Sequence, residues 1–233
     1  MQIEGSRALV TGGSEGIGLG IARALKEKGA GVAIMARREE PLKKAAEELD
    51  VPAIQGDVSR EEDAVRAVAT AVKELGGLDL LVNNAGFGHF MELVETDRKK
   101  FEEVFATNVT GAMLMAREAA RHFIEQQSGH IVNVSSTSGL RGGRRSTAYS
   151  GSKFALRGMT ECWRDELRRH NIRVMLVNPS EVQTPFFEKL GRKQEFNPRK
   201  LRPQEIADAI VGVLAIDDRG FIPEFSVFAT NPF

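Results

Sequence analysis

Residues 7–18 read RALVTGGSEGIG. The run Arg7–Thr11 has the composition of a buried strand. A glycine-rich turn follows it. Beyond the turn, Ile17, Ile21, Ala24 and Leu25 share one face of a helical pattern. Strand, turn and helix in this order open a βαβ unit. Glycines there permit a tight bend and let backbone N–H groups approach a pyrophosphate at the positive end of the helix. Gly12, Gly16 and Gly18 stand at G-x-x-x-G-x-G spacing, with Ser14, Glu15 and Ile17 between them. The stretch fits a cofactor turn, and it also fits an ordinary strand–helix connection.

Working outward, the alternation continues. Apolar runs at Gly31–Ala36, Val51–Gln55, Leu78–Asn83, His130–Ser135, Arg173–Asn178 and Phe225–Thr230 read as strands buried on both faces, with helical patterns between them. Ser59 and Glu62 predict a capping box ahead of Val65, Val68, Val72 and Leu75. Strand–helix alternation implies right-handed crossovers and a parallel sheet covered on both sides. The expected fold is α/β: a single doubly wound Rossmann-type domain over residues 1–233, with a seven-stranded, mostly parallel sheet and helices on both faces. Residues 184–202 mix Phe186, Phe187 and Phe196 with Lys189, Arg192, Lys193, Arg199 and Lys200. They read as a short helix plus a mobile segment, a candidate lid on the substrate side. The tail Phe225–Phe233 reads as a last strand and a terminal hook.

Composition narrows the function. The 233 residues carry 32 basic and 32 acidic side chains, so no dominant basic charge points to a nucleic-acid partner. The single cysteine, Cys162, rules out an intramolecular disulfide framework. With no apolar leader at Met1–Arg7 and no run near the ~20 apolar residues of a membrane helix, a cytoplasmic location is expected and a membrane partner is not. No HExxH, CxxC or His/Cys cluster predicts a metal site. The four scattered histidines, His89, His122, His130 and His170, read as structural. Gly12–Gly16 also fits the G-x-S-x-G elbow of a hydrolase, with Ser14 as nucleophile. That reading needs a late histidine, and none lies beyond His170.

Two further positions carry chemistry. The second strand ends in Ala36-Arg37-Arg38, where a dinucleotide fold that binds NAD usually has an acidic residue for the ribose 2′-hydroxyl. Two guanidinium groups suit a 2′-phosphate, so NADP(H) is favoured over NAD(H), although Glu15 could approach the same phosphate and weaken the preference. The alternative is that Arg37 and Arg38 merely begin a solvated helix. The only tyrosine, Tyr149, stands in YSGSK at 149–153, one helical turn before Lys153. A nearby ammonium is expected to lower the phenol pKa. Ser136 follows the fifth strand, where its hydroxyl could meet a substrate carbonyl.

Taken together, these residues resemble the short-chain dehydrogenase/reductase family from Arg7 to about Thr184. TGGSEGIG at 11–18 resembles its cofactor turn, and Asp57-Val58 resembles its adenine-contacting pair. Asn83, Asn84, Ala85 and Gly86 resemble the motif ending its fourth strand. Asn108, in a long helix, resembles its catalytic asparagine, and Ser136, Tyr149 and Lys153 match its catalytic spacing. Asn178-Pro179 and Thr184 resemble the segment at the nicotinamide end, where Ser180 and Val182 also count as cofactor contacts. Ser180 departs from the usual glycine, and the tail FSVFATNPF departs from the glycine-rich end of many relatives.

The resemblance implies an oxidoreductase that passes a hydride between NADP(H) and a carbonyl or secondary alcohol. Tyr149 would be the acid and base, Lys153 would tune it and hold the ribose, and Ser136 would polarise the substrate oxygen. Asn108 would hold a water that links Lys153 to solvent. The alternatives are an NAD-preferring dehydrogenase and a non-catalytic NADP(H)-binding sensor. The resemblance also implies a homodimer or homotetramer paired through the helices around 96–122 and 147–169. Arg141, Arg144 and Arg145 border the expected site; they would either bind an anionic substrate or form a solvated loop with acidic partners. Phe87, Phe90, Phe186 and Phe187 read equally as an apolar pocket wall or as core.

Overall fold

β1 (Arg7–Thr11) pairs with β2 (Gly31–Ala36) on one side and with β4 (Leu80–Asn83) on the other. β3 (Ala53–Gln55), β5 (Gly129–Val134), β6 (Ile172–Pro179) and β7 (Glu224–Val227) complete one seven-stranded sheet. Its order is β3-β2-β1-β4-β5-β6-β7, and every neighbouring pair is parallel. Strand order reverses between β1 and β4, so a crevice opens there at the carboxyl ends of the strands. The computed structural model describes residues 1–188 and 195–231, the side chains of Phe187 and Glu188 excepted. Lys189, Arg192 and Lys193 of the expected lid, and the hook at Pro232-Phe233, lie outside the described residues.

The strands are apolar on both sides because both sides are covered. Ala8, Val10, Val32 and Ile34 pack with α1 (Gly16–Glu27), α2 (Glu39–Leu49) and α8 (Pro203–Leu214). Leu9, Ala33, Met35 and Leu81 pack with α3 (Glu61–Leu75) and α5 (Ala112–Gln126) on the opposite face. α6 (Thr147–Leu167) joins that second layer through Leu167, and its Leu156 meets Leu176 of β6. α4 (Arg98–Phe105) and α7 (Pro185–Glu188) are short pieces at the rim of the crevice.

Local expectations fail where a nearby acid competes. The capping box at Ser59 and Glu62 does not form. Asp57 Oδ1 accepts from both the backbone N–H and the hydroxyl of Ser59, at 3.0 and 2.8 Å. The helix therefore starts later, at Glu61 with Arg60 as its N-cap, and Glu62 pairs with Arg60 instead. Val65, expected on the core face, is exposed.

Gly212 sits exposed inside α8 with nothing within 4 Å of where a Cβ would lie. Gly212→Ala is expected to stabilise the protein by about 0.5–1 kcal/mol, because alanine costs less conformational entropy in a helix. A denaturation midpoint unchanged or lowered in this variant would count against that placement.

Candidate active site

The turn after β1 has the backbone that its sequence predicts. Gly12 and Gly16 adopt φ +64° and +56°. A Cβ on Gly12 would lie 2.8 Å from Asn84 Nδ2, and one on Gly18 would overlap the Gly12 carbonyl oxygen. Asn84 ties this turn to the end of β4. Its Nδ2 donates to the carbonyls of Thr11 and Gly12 at 3.0 and 3.3 Å. The N–H groups of Asn84 and Ala85 donate to Thr11 Oγ1. No side-chain hydrogen bond from Glu15 caps the start of α1. The helix end therefore keeps the character of an anion site.

From this turn a cleft of about 680 Å³ runs along the carboxyl ends of the strands. That size suits a small-molecule or cofactor site. Of the expected residues, Gly12, Ser14, Glu15, Gly16, Ile17, Arg37, Arg38, Val58, Asn84, Ala85, Gly86, Tyr149, Lys153 and Thr184 line it. The residues present fit a dinucleotide. Glycines open the turn where side chains would fill it, a helix N-terminus faces the cleft, and cations stand at the end of β2.

Other expected residues support the walls. Gly18 is buried under the turn. Asp57 holds Ser59 and stands 3.6 Å from Arg37. Pro179 is buried at the end of β6, the N–H of Ser180 donates to the carbonyl of Val227, and Val182 bridges to Leu201. Lining residues that sequence reasoning did not single out include Gly56, Gly88, Thr107, Val134, Ser135 and Pro185. Val134 and Ser135 had a usable signal, since ligands gather at the carboxyl ends of strands around the switch point. His89 also lines the cleft, edge-on to Phe87 at 5.5 Å and 3.7 Å from Glu103.

The chemistry-bearing residues converge on the far side of the cleft. Tyr149 and Lys153 project from the first turns of α6. Lys153 is buried, and its Nζ donates to the Val134 carbonyl at 2.9 Å. The same Nζ lies 5.8 Å from the centre of the Tyr149 ring. Ser136 caps a short turn over Thr137–Gly139, accepting from Ser138 N–H at 3.1 Å, and its hydroxyl stands near the Tyr149 phenol.

The expected depression of the Tyr149 pKa does not occur. Burial pushes the phenol up, and the nearby Ser136 hydroxyl only opposes that rise. Burial also brings Lys153 down to about 8. The ammonium is not among the influences on the phenol, since Nζ is turned toward the Val134 carbonyl and burial dominates.

Asn108 sits in a π-helical turn, Ala106–Gly111, between α4 and α5. Its Oδ1 accepts from Phe87 N–H at 3.0 Å. Its Nδ2 donates to the Phe87 carbonyl and to Ser152 Oγ, both at 2.9 Å. The side chain clamps the loop after β4.

The cations at the cofactor end have partners. Arg38 is 2.7 Å from Glu15, and Arg37 lies over the Phe87 ring at 5.6 Å. On the outer loop, Arg144 and Arg145 engage Glu92 at 3.0 and 3.9 Å, the arrangement of a solvated loop with an acidic partner.

Comparisons with known proteins agree with this architecture. The family model described as short chain dehydrogenase matches residues 6–195. The uncharacterized oxidoreductase YxnA of Bacillus subtilis (strain 168) is 36% identical over 219 residues, covering 87% of this chain and 61% of YxnA. An uncharacterized oxidoreductase of Staphylococcus aureus (strain USA300) is 32% identical over 213 residues, covering 89% of this chain and 90% of its own. The crystal structure of 3-ketoacyl-(acyl-carrier-protein) reductase from Brucella melitensis, complexed with NADH, is similar at TM-score 0.91 and 29% identity. That likeness covers 99% of this chain and 100% of the other. With the family pattern running from before β1 past α7, this chain belongs to the short chain dehydrogenase family and is an oxidoreductase.

Proposed function

We propose that the chain passes a hydride between a nicotinamide dinucleotide and a carbonyl or secondary alcohol, with Tyr149 as general acid and base. The observation that carries this reading is Tyr149 on the wall of the cleft that begins at the glycine turn, with Lys153 lining the same cleft one helical turn further along α6. Hydride chemistry is what a bound nicotinamide contributes to such a site. The protein supplies the proton and the positioning. In reduction, Tyr149 donates its proton to the substrate oxygen, and its raised pKa keeps that proton in place until the oxygen becomes basic. Ser136 hydrogen-bonds the same oxygen. Lys153 provides a positive charge beside the phenol and a donor for ribose hydroxyls. Asn108 acts as a positioning residue by holding the Phe87 backbone. NADPH oxidation with ketones, aldehydes and β-ketoacyl thioesters tests the reading; dinucleotide binding without turnover of any of them would favour a sensor.

NADP(H) over NAD(H) rests chiefly on Arg37. Its pair with Asp57 is long at 3.6 Å, so the guanidinium can turn to a 2′-phosphate at little cost. Arg38 is held closer, by Glu15. Arg37→Ala is expected to raise KM for NADPH about 10- to 100-fold and to leave KM for NADH nearly unchanged. Glu15→Gln should lower KM for NADPH by releasing Arg38. Equal KM shifts for both dinucleotides in Arg37→Ala would remove the preference. The chain is further read as a homodimer or homotetramer built through α5 and α6, where Phe154 is 44% exposed.

A further inference from the structure

Among the described residues, two other rings flank the catalytic phenol. The Phe90 ring centre lies 5.5 Å from that of Tyr149, with the planes inclined at 47°. Phe186 lies 5.6 Å from Tyr149 at 55°. The two phenylalanines meet near edge-on, 6.4 Å apart at 79°. These are the separations and inclinations at which aromatic pairs attract. Phe90 comes from the loop after β4 and Phe186 from α7, so segments far apart in the chain meet on one phenol. The backbone of Gly88 closes in beside them. A Cβ there would lie 3.0 Å from both the Phe90 ring and Tyr149 Cδ2. Phe87 and Phe186 line the cleft itself.

Among the described residues, the cations near these rings are engaged elsewhere. Arg141, Arg144 and Arg145 are exposed, and the latter two are engaged by Glu92. Lys153 directs its ammonium at the Val134 carbonyl. The wall beside the phenol is therefore aromatic, with Phe186 on the cleft and Phe90 packed against both Phe186 and Tyr149. An aliphatic chain gains only from leaving water there, whereas a flat ring also gains the preferred ring-to-ring geometry.

We infer that this pocket selects aryl ketones and aryl aldehydes, with Phe90 and Phe186 as the specificity-determining residues. This rests on the hydride-transfer reading above. In the reduction the carbonyl carbon gains the hydride, its oxygen gains the Tyr149 proton, and the C=O π-bond is replaced by one C–H and one O–H bond. The reduced dinucleotide is the electron donor.

The test compares acetophenone with cyclohexyl methyl ketone, which has the same carbon skeleton but a saturated ring. The expected kcat/KM ratio in the parent enzyme is about tenfold in favour of acetophenone, falling toward unity in Phe186→Leu and in Phe90→Leu. Equal kcat/KM values for the two ketones in the parent overturn the selection and leave hydride transfer standing. Ratios unchanged in both variants overturn the assignment to these two rings. A second measurement needs neither turnover nor a variant: saturation-transfer NMR on the parent protein with 1-phenylethanol and 1-cyclohexylethanol. Stronger transfer to the phenyl compound upholds the pocket even if no carbonyl compound is reduced, in which case the reaction assignment falls. Equal transfer overturns the pocket.

Discussion

Replacing Tyr149 with phenylalanine is expected to lower kcat for carbonyl reduction by about 10²–10⁴-fold, the usual worth of a positioned general acid. The dissociation constant for the dinucleotide should stay within about twofold. The structure makes this substitution clean. Phenylalanine keeps the ring that meets Phe90 and Phe186. Ser136 keeps the bond that it accepts from Ser138 N–H. Only the proton donor is removed. The pH profile gives a second check with a definite sign. Lys153 is brought down to about 8 by burial, so its positive charge fades as pH rises through that value. On the proposed reading reduction draws on the charge of Lys153 and the proton of Tyr149, so kcat should be level at lower pH and decline above about 8. Turnover of Tyr149→Phe within about tenfold of the parent would take the phenol out of the chemistry.

The raised phenol pKa marks the boundary between what sequence could and could not supply. Strands such as Arg7–Thr11 and Gly31–Ala36 are legible because burial on both faces leaves a continuous apolar run. The Tyr149–Lys153 spacing is legible because one helical turn fixes it. The sign of the phenol shift is not, because desolvation depends on how far β5, α6 and the loop after β4 close around the ring. The partners of the cations are equally remote. Arg144 meets Glu92, and Arg37 meets Phe87, across loops whose paths no local pattern sets. Asn108 gives a subtler case. Its neighbours read as ordinary helix, yet a π-helical turn spans Ala106–Gly111 and Asn108 bonds both backbone polar groups of Phe87. The Ser59 capping box fails for a local reason that was open to view: Asp57, two residues earlier, takes the Ser59 backbone N–H that Glu62 would have accepted.

Gly18→Ala separates the conformational argument for glycine from the steric one. Gly18 lies inside the first turn of α1 and is not among the positive-φ glycines. By helix propensity alone, alanine there would stabilise by up to about 1 kcal/mol. The steric term has the opposite sign. The new Cβ would overlap the Gly12 carbonyl oxygen and Asn84 Nδ2, the acceptor and donor of the bond that ties the glycine turn to β4. Backbone cannot yield here as a flexible side chain would, so either α1 shifts away from β1 or the Asn84 tie breaks. Overpacking of this kind costs about 1–3 kcal/mol, which outweighs the propensity gain. The same displacement widens the turn that should hold the pyrophosphate, so dinucleotide affinity is expected to fall by about 100-fold. Gly212→Ala is the matched control, since it makes the same chemical change in a helix with nothing nearby to strike. Denaturation midpoints and titration calorimetry on the two variants should therefore move in opposite directions for stability, with affinity lost only in Gly18→Ala. If Gly18→Ala matched Gly212→Ala in both measurements, the turn would have slack that its close contacts deny, and the case for a tightly formed phosphate cradle would fail with it.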